Sequence, residues 1–101
     1  MHPTEGALTT VVTLVHAEAC HFCTDAGEAL ENLQRTYRFN VESIRADSEE
    51  GRALVALHRP AMSPLVLLDG EFFSHGRFPR KKLARVLDER AAAMTGTNRG
   101  H

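Results

Sequence analysis

Residues 9–37, TTVVTLVHAEACHFCTDAGEALENLQRTY, contain the most informative pattern of the chain. The first eight residues of this stretch are rich in β-branched types and predict a short buried strand at 9–16. After three further residues comes the CxxC motif Cys20-His21-Phe22-Cys23. Apolar residues then recur at helical spacing and predict an amphipathic helix of about four turns. These residues are Phe22, Ala26, Ala29, Leu30, Leu33 and Tyr37.

The next part of the chain predicts a second strand and a second helix. Residues 39–46, FNVESIRA, have an imperfect alternation that indicates a strand. We expect Asp47 to cap the helix that follows, and Glu50 to reach back to it in a capping box. The helix ends just before Pro60, since a proline disfavours helical backbone in the residue before it. Its apolar residues are Ala53, Leu54 and Leu57.

A hairpin and a last helix complete the predicted elements. Residues 65–68 and 71–74 predict two strands, and Asp69-Gly70 between them favours a type I′ turn. The two strands are therefore expected to be antiparallel. Pro79 suits the first turn of a helix because its missing N–H would have no partner there. The apolar residues of this helix are Leu83, Val86 and Leu87.

The element order β-α-β-α-β-β-α predicts an α/β fold. The first strand–helix–strand unit favours a right-handed crossover between parallel strands, and the hairpin adds two strands to the same sheet. With helices on both faces of a four-stranded mixed sheet, the architecture is a three-layer α/β/α sandwich. We expect one domain at 9–93, an N-terminal extension at 1–8 and a flexible C-terminal tail at 94–101.

Composition narrows the class of protein. The chain has 101 residues and a formal net charge of −1, which gives no reason to expect nucleic acid or a membrane surface as a partner. No apolar run approaches the roughly 18–20 residues that a membrane span needs. Residues 1–8 lack the features of a signal peptide, so the expected location is the cytoplasm. Two cysteines, three positions apart, point to redox chemistry or half of a metal site rather than to a secreted disulfide scaffold.

The CxxC motif has a clear chemical interpretation at a strand–helix junction. Unpaired N–H groups and the positive end of the helix dipole favour a thiolate, so we expect a lowered pKa for Cys20. Thiolate is the nucleophile in disulfide exchange, and Cys23 lies one turn further on the same side of the helix. Cys20 is thus predicted to attack and Cys23 to resolve the mixed disulfide. A cationic His21 would stabilise the thiolate further, although an exposed polar role is equally open, and Phe22 is expected to pack on the protein or form an apolar rim.

Two other functions stay open on the sequence. The motif could belong to a structural zinc site, but zinc normally takes four ligands and only His16 and His21 are nearby in sequence. The second alternative is a redox-regulated binding module, in which the disulfide changes the affinity for a partner. A basic set near the last helix favours this alternative if it is a docking surface for an acidic partner or a carboxylate-bearing thiol. The other interpretation of the same set is a solvated helix face. The set is Arg77, Arg80, Lys81, Lys82 and Arg85.

Over residues 10–90 the chain resembles the glutaredoxin branch of the thioredoxin superfamily. The resemblance rests on the strand–CxxC–helix unit, on Met62-Ser63-Pro64 before the third strand, and on Asp69-Gly70 in the hairpin. It implies a thioredoxin-like fold and a cis peptide bond before Pro64. It also implies that the backbone of Ser63 pairs with an incoming peptide or tripeptide in the manner of an added strand.

The resemblance leaves the reductant open. Glutaredoxins usually have Pro-Tyr between the cysteines, a lysine shortly before the first cysteine, and a Gly-Gly pair followed by an aspartate after the fourth strand. Here His-Phe lies between the cysteines, residues 17–19 contain no lysine, and only Gly76 of the later motif matches. The segment with Gly76 and Arg77 is partly similar to glutaredoxin-like donors that thioredoxin reductase reduces and that serve ribonucleotide reductase.

The expected function is therefore the reduction of protein or low-molecular-weight disulfides. Glutathione, another low-molecular-weight thiol or a thioredoxin-reductase-type flavoprotein could supply the electrons. No bound cofactor and no metal are expected, and a monomer is the default state. The predicted catalytic residues are Cys20 and Cys23. The predicted substrate- or thiol-binding residues are His21, Phe22, Ser63, Pro64, Gly76 and Arg77.

Overall fold

The computed structural model of the protein describes residues 10–94 and contains four strands and three helices in that range. The elements are β1 (Val11–His16), α1 (His21–Gln34), β2 (Asn40–Arg45), α2 (Glu49–His58), β3 (Leu65–Leu68), β4 (Glu71–His75) and α3 (Arg80–Met94). The predicted extension at 1–8 and the tail beyond residue 94 lie outside the described residues. The predicted order of elements is confirmed.

The sheet is mixed, with strand order β2-β1-β3-β4. β1 runs parallel to β2, and β3 is antiparallel to both β1 and β4. Asp69 and Gly70 connect β3 to β4 with φ angles of 52° and 87°. Positive φ at both central residues is what a type I′ turn requires, so the sequence prediction of this hairpin is confirmed.

Two apolar clusters lie on opposite faces of the sheet. On one face, α1 and α3 pack on β1 and β3, and the fully buried residues there include Val12, Leu30 and Leu83. On the other face, Leu54 and Val55 of α2 pack against β1 and β3. Alternate residues of each strand point to opposite faces, which is why both faces of β1 carry buried side chains. The result is the predicted three-layer sandwich.

The N-cap of α2 differs from the sequence prediction. Ser48, not Asp47, caps the helix: its Oγ accepts a hydrogen bond from the Gly51 N–H at 3.0 Å. The Asp47 carboxylate instead accepts hydrogen bonds from Arg45 at 3.0 and 2.9 Å. With Ser48 as the N-cap, the third helical position is Gly51, which has no side chain to reach back to the cap. The predicted capping box with Glu50 is therefore wrong.

Replacing Ser48 by alanine is expected to lower the free energy of unfolding by about 1 kcal/mol, the usual contribution of an N-cap. Asp47→Ala, the matched control, removes only an exposed ion pair and should cost less than half as much. Urea denaturation of both variants measures the difference. A larger loss for Asp47→Ala would show that Asp47 is the cap after all.

Two helix boundaries also differ. α1 ends at Gln34, so the half-buried Tyr37 lies after the helix, whereas the sequence predicts it as the last residue of the apolar stripe. The Tyr37 hydroxyl donates to Asp88 of α3 at 2.7 Å, which holds this segment against the last helix. α3 begins at Arg80, and the Leu83 N–H donates to the carbonyl of Pro79 at 3.1 Å. Pro79 therefore precedes the helix rather than lying in its first turn.

Asp69 ties the hairpin to the rest of the fold. Its carboxylate accepts from the Val11 N–H at 2.9 Å and pairs with Arg90 of α3. Partial burial acts to raise the pKa of this carboxyl, but the bonds from Val11 and Arg90 outweigh it and leave the pKa below its usual value. The charged form therefore stabilises the native state above the unfolded pKa, and this contribution is lost as the pH falls through the lowered native pKa.

Asp69→Asn keeps a side chain that tolerates positive φ but removes the charge. We expect a loss of at most about 1 kcal/mol at pH 7, because the pair is partly exposed. Below about pH 4, where the wild-type carboxyl is protonated in the unfolded state, the two proteins should converge in stability. Denaturant titrations at pH 7 and pH 3 measure this. A difference that stays constant over this range would contradict the assignment.

Candidate active site

Cys20 occupies the N-cap position of α1, directly before His21. Its backbone is extended (φ −116°, ψ 108°), and its Sγ accepts a hydrogen bond from the Cys23 N–H at 3.1 Å. The first N–H groups of a helix have no partner within the helix and form the positive end of its dipole. The Cys20 sulfur therefore lies where the helix stabilises negative charge.

Cys20 and Cys23 form a disulfide, and their Cα atoms are 5.1 Å apart. Cys20 is half-buried, whereas Cys23 has only 7% of its surface exposed. The Cys23 Sγ lies 3.5 Å from the backbone nitrogen of Ala17, just after β1. Cys20 is thus the accessible member of the pair, and Cys23 is enclosed between α1 and the end of β1.

A short turn places the motif at this position. Ala19 has a φ of 53°, a left-handed conformation that non-glycine residues seldom adopt. The residue turns the chain from the end of β1 into the first turn of α1. The Cys20 carbonyl then accepts from the N–H groups of Cys23 and Thr24, both at 3.1 Å, so the helix begins immediately after the first cysteine.

The sheet brings the predicted proline to the same edge as the motif. Val15 at the end of β1 is opposite Leu65 at the start of β3, and Leu65 is opposite His75 at the end of β4. The segments that follow β1, precede β3 and follow β4 therefore meet at one edge of the sheet. The peptide bond before Pro64 is cis, as the resemblance implies, and the Pro64 carbonyl accepts from the Gly76 N–H at 3.0 Å.

Glycine is favoured at position 76 for two reasons. Its φ is 74°, in the left-handed region, and a Cβ there would lie 3.3 Å from the Met62 Sδ. Met62 thus packs over Gly76 while half of its own surface stays exposed. Ser63, between Met62 and Pro64, is exposed, and no hydrogen bond among residues 10–94 involves it. Its backbone is therefore accessible to a ligand.

His21 and Phe22 both point to solvent in the first turn of α1. Phe22 has 38% of its surface exposed, so it does not belong to the buried stripe that its helical spacing predicts. The buried residues of α1 begin with Cys23 and continue at Ala26, Ala29 and Leu30. Phe22 and Met62 are the exposed apolar side chains of the motif and of the segment before Pro64. The exposure of Phe22 is compatible with an apolar rim, which stays a prediction.

An ion pair links α1 to the start of α3. Arg80 donates to both carboxylate oxygens of Asp25, at 2.8 and 3.2 Å. The Arg80 guanidinium holds the pKa of the Asp25 carboxyl below its usual value, and the charge of Arg77 acts in the same direction. Arg77 itself is exposed and directly follows Gly76. The beginning of α3 is therefore held beside the helix that carries the two cysteines.

The groove between α1 and β2 gives a second approach to the motif. It has a volume of about 400 Å³, and Cys23, Gly27, Leu30 and Val41 are among the residues that line it. Gly27, which the sequence marks only as a weak point in the helix, leaves space on this side because nothing lies within 4 Å of the position of a Cβ. Cys23 thus contributes to the lining of this groove, although only 7% of its surface is exposed.

Sequence reasoning missed several of these contacts. The pairing of Asp25 with Arg80 joins residues 55 positions apart, and no local pattern predicts it. The packing of Met62 over Gly76 likewise joins residues that are distant in sequence, and no local pattern predicts it. One signal was available. Gly76 directly precedes a basic residue and is close to a predicted active-site segment, and a glycine in such a place indicates that another group approaches the backbone closely.

Two further results concern other kinds of site. Among residues 10–94, no group of three or more His, Cys, Asp or Glu side chains is arranged to hold a metal ion. Over the same residues, no helix combines the length and the apolar character needed to span a bilayer.

Comparison with known proteins shows similarity in structure only. No protein-family model and no curated protein matches the chain. The solution structure of a thioredoxin from Thermus thermophilus matches with a TM-score of 0.54 and 22% identity, over 97% of this chain and 88% of that one. A solved structure described as that of a malarial protein matches with a TM-score of 0.52 and 18% identity, over 81% of this chain and 97% of that one.

The protein therefore has a thioredoxin-like fold, with a close pair of cysteines at the start of its first helix. This combination suggests a redox function. At identities of 18% and 22% the similarity shows the fold alone.

Proposed function

We propose that the protein is a glutaredoxin-like thiol–disulfide oxidoreductase that reduces protein or low-molecular-weight disulfides through Cys20 and Cys23. One observation carries the proposal: the Sγ of Cys20 accepts the Cys23 N–H at the start of α1, where a thiolate is stabilised. The greater accessibility of Cys20 supports its role as the attacking cysteine.

In the proposed reaction the reduced protein supplies two electrons. The Cys20 thiolate attacks one sulfur of the substrate disulfide, forms a mixed disulfide and releases the other substrate sulfur as a thiolate, which takes up a proton. Cys23 then loses its proton and attacks the Cys20 sulfur. The Cys20–Cys23 disulfide forms, and the second substrate sulfur leaves as a thiolate and is protonated. An external thiol or a flavoprotein reductase returns two electrons to the protein.

The remaining predicted residues have supporting roles in this proposal. His21 contributes positive charge beside the sulfur when protonated, and Phe22 provides an apolar surface for the substrate. The exposed backbone of Ser63, set by Pro64, pairs with the substrate chain, while Gly76 permits the close approach of Met62. Arg77 lies next to this surface and would contact a carboxylate of the substrate.

The proposal also includes a cytoplasmic location and a monomeric state. A dithiol that acts as a reductant must be kept reduced, which thiol systems of the cytosol provide. No bound cofactor is part of the proposed reaction, since the cysteines carry the electrons themselves.

Turnover of an artificial disulfide, 2-hydroxyethyl disulfide, tests the proposal. The assay is run with glutathione and glutathione reductase, with a second low-molecular-weight thiol, and with NADPH and thioredoxin reductase. We expect multiple turnovers with at least one of these reductants. Absence of turnover with all three, on this substrate and in the reduction of insulin disulfides alike, would contradict the proposed enzyme.

A redox-regulated binding module is the second candidate function. The observation that favours it is that Arg77, Lys81 and Arg85 are exposed, with Arg77 directly after Gly76, and these cations could hold a partner without catalysis. Pull-downs with the reduced and the oxidised protein distinguish the two functions. Equal recovery of every partner in both states would exclude the regulated module.

A further inference from the structure

The cations between residues 77 and 90, just before and along α3, fall into two groups. Arg80, Lys82 and Arg90 are occupied within the fold: Arg80 pairs with Asp25, and Arg90 pairs with Asp69. The Lys82 ammonium donates to the backbone carbonyl of Phe73 at 3.2 Å and lies 4.6 Å from the centre of the Phe73 ring. These three side chains are accounted for by the structure of the protein itself.

The other group is Arg77, Lys81 and Arg85, which we call the basic surface. All three side chains are exposed, and within residues 10–94 none of them forms a hydrogen bond or an ion pair with another side chain. Arg77 does act on Asp25 through its charge, but Arg80 takes both oxygens of that carboxylate. Within residues 10–94, no carboxylate therefore forms a close ion pair with these three side chains.

This arrangement is unfavourable in the protein alone. Lys81 and Arg85 are four residues apart on one side of α3, where like charges repel, and Lys81 lies in the first turn, where the helix dipole disfavours cations. The whole chain has a net charge of −1, so the basic surface is a local feature and not a consequence of a basic composition. A ligand with negative charge would relieve both repulsions.

The basic surface begins at the candidate active site. Arg77 follows Gly76, whose N–H bonds to the carbonyl of Pro64 and whose Cα is covered by Met62. From there, Lys81 and Arg85 continue along α3, about 6 Å apart along the helix axis, the rise of four helical residues. The basic surface is longer than one small carboxylate and could therefore bind several acidic groups. It starts near the segment that carries the exposed side chain of Met62.

We propose that the protein substrate carries an acidic segment beside its disulfide, and that this segment binds along Arg77, Lys81 and Arg85 while an apolar residue next to the substrate cysteine contacts Met62 and Phe22. The inference rests on the proposed function, since it names the class of substrate for the same cysteines. Binding of this kind uses screened, exposed charges, so it is sensitive to salt.

The test uses three disulfide-linked peptides of the same length. Each peptide has a leucine beside its cysteine. Two further positions are both aspartate in the first peptide, both asparagine in the second and both lysine in the third. We expect kcat/KM for the aspartate peptide to exceed that for the lysine peptide by about five- to tenfold at low ionic strength, as two exposed charge contacts allow. At 0.5 M salt the ratio should approach one.

Two charge-reversal variants give the matched comparison. Lys81→Glu/Arg85→Glu should invert the ratio, whereas Arg35→Glu/Arg38→Glu, which changes the net charge equally at exposed positions near the end of α1, should keep it. Circular dichroism checks that both variants fold. A ratio near one in the wild type, or an equal change in both variants, would overturn the inference.

The outcome is separable from that of the proposed function. Equal turnover of all three peptides removes the acidic-substrate inference and leaves the oxidoreductase in place. If no peptide is turned over, the proposed function fails, and binding of the same peptides with cysteine replaced by serine decides the inference. Fluorescence anisotropy should then rank aspartate above asparagine above lysine, and any other ranking would contradict it.

Discussion

Replacing Cys20 by serine is expected to abolish disulfide turnover, with a loss on the order of a thousandfold or more, as removal of a nucleophile commonly causes. A serine hydroxyl stays protonated at neutral pH and does not attack a disulfide, so the first step is lost. Cys23→Ser should behave differently. Its Cys20 still attacks, but no second thiol resolves the product, and the mixed disulfide accumulates.

Mass spectrometry of the two variants after addition of a peptide disulfide measures this difference. Cys23→Ser should gain the mass of one half of the peptide disulfide, and Cys20→Ser should remain unmodified because Cys23 is 7% exposed. Both variants retain the fold if circular dichroism matches that of the reduced wild type. Modification of Cys20→Ser alone would reverse the assigned roles, with Cys23 as the attacking residue.

Replacing Gly51 by alanine is expected to destabilise the protein by about 3 kcal/mol, at the upper end of what overpacking usually costs. A Cβ at this position would overlap the carbonyl oxygen of Arg45 and lie 2.9 Å from the Cα of Ala46. Both are backbone atoms at the end of β2, so no side-chain rotation can relieve the contact. The first turn of α2 would have to move away from the sheet.

Gly27→Ala is the matched control, since it places the same methyl group in another helix. Nothing lies within 4 Å of that Cβ, so alanine should raise the free energy of unfolding by about 0.5–1 kcal/mol through its better helix propensity. Urea denaturation of both variants measures the two effects. Similar changes in the two variants would mean that α2 does not pack on β2 at the distance described.

Local signals explain which parts of the fold the sequence predicts correctly. Asp69-Gly70 specifies its turn because the two residues tolerate the positive φ values that the structure has there. The apolar stripe of α1 likewise predicts the buried face of the helix correctly at Ala26, Ala29 and Leu30, but not at Phe22. Phe22 lies in the first turn of α1 just before Cys23, where the buried face of the helix begins, and it is 38% exposed.

The errors have a shared cause, which is competition for partners that the local sequence does not show. Asp47 is a good capping residue by type, but Arg45 takes its carboxylate and Ser48 caps the helix instead. The same applies to the basic set, which the sequence presents as one group. Arg80 is removed from that group by Asp25, a residue in a different helix.

For the candidate site, the sequence supplied the two cysteines and the proline, and the fold supplied their arrangement. The strand register places the segment before Pro64 beside the end of β1, which the order of elements alone does not determine. The accessible surface next to the disulfide, with Met62 over Gly76, depends on a contact between residues 14 positions apart. Side-chain packing of this kind follows from the tertiary structure.

The pH dependence of Cys20 alkylation in the reduced protein tests the central claim most directly. The rate of reaction with iodoacetamide is followed from pH 5 to pH 10, and mass spectrometry of the digested protein assigns the modified cysteine. The predicted result is modification of Cys20 before Cys23, with a midpoint well below the value of about 8.5 for a free cysteine. A midpoint at or above that value, or equal rates at both cysteines, would contradict the assignment of Cys20 as an activated nucleophile.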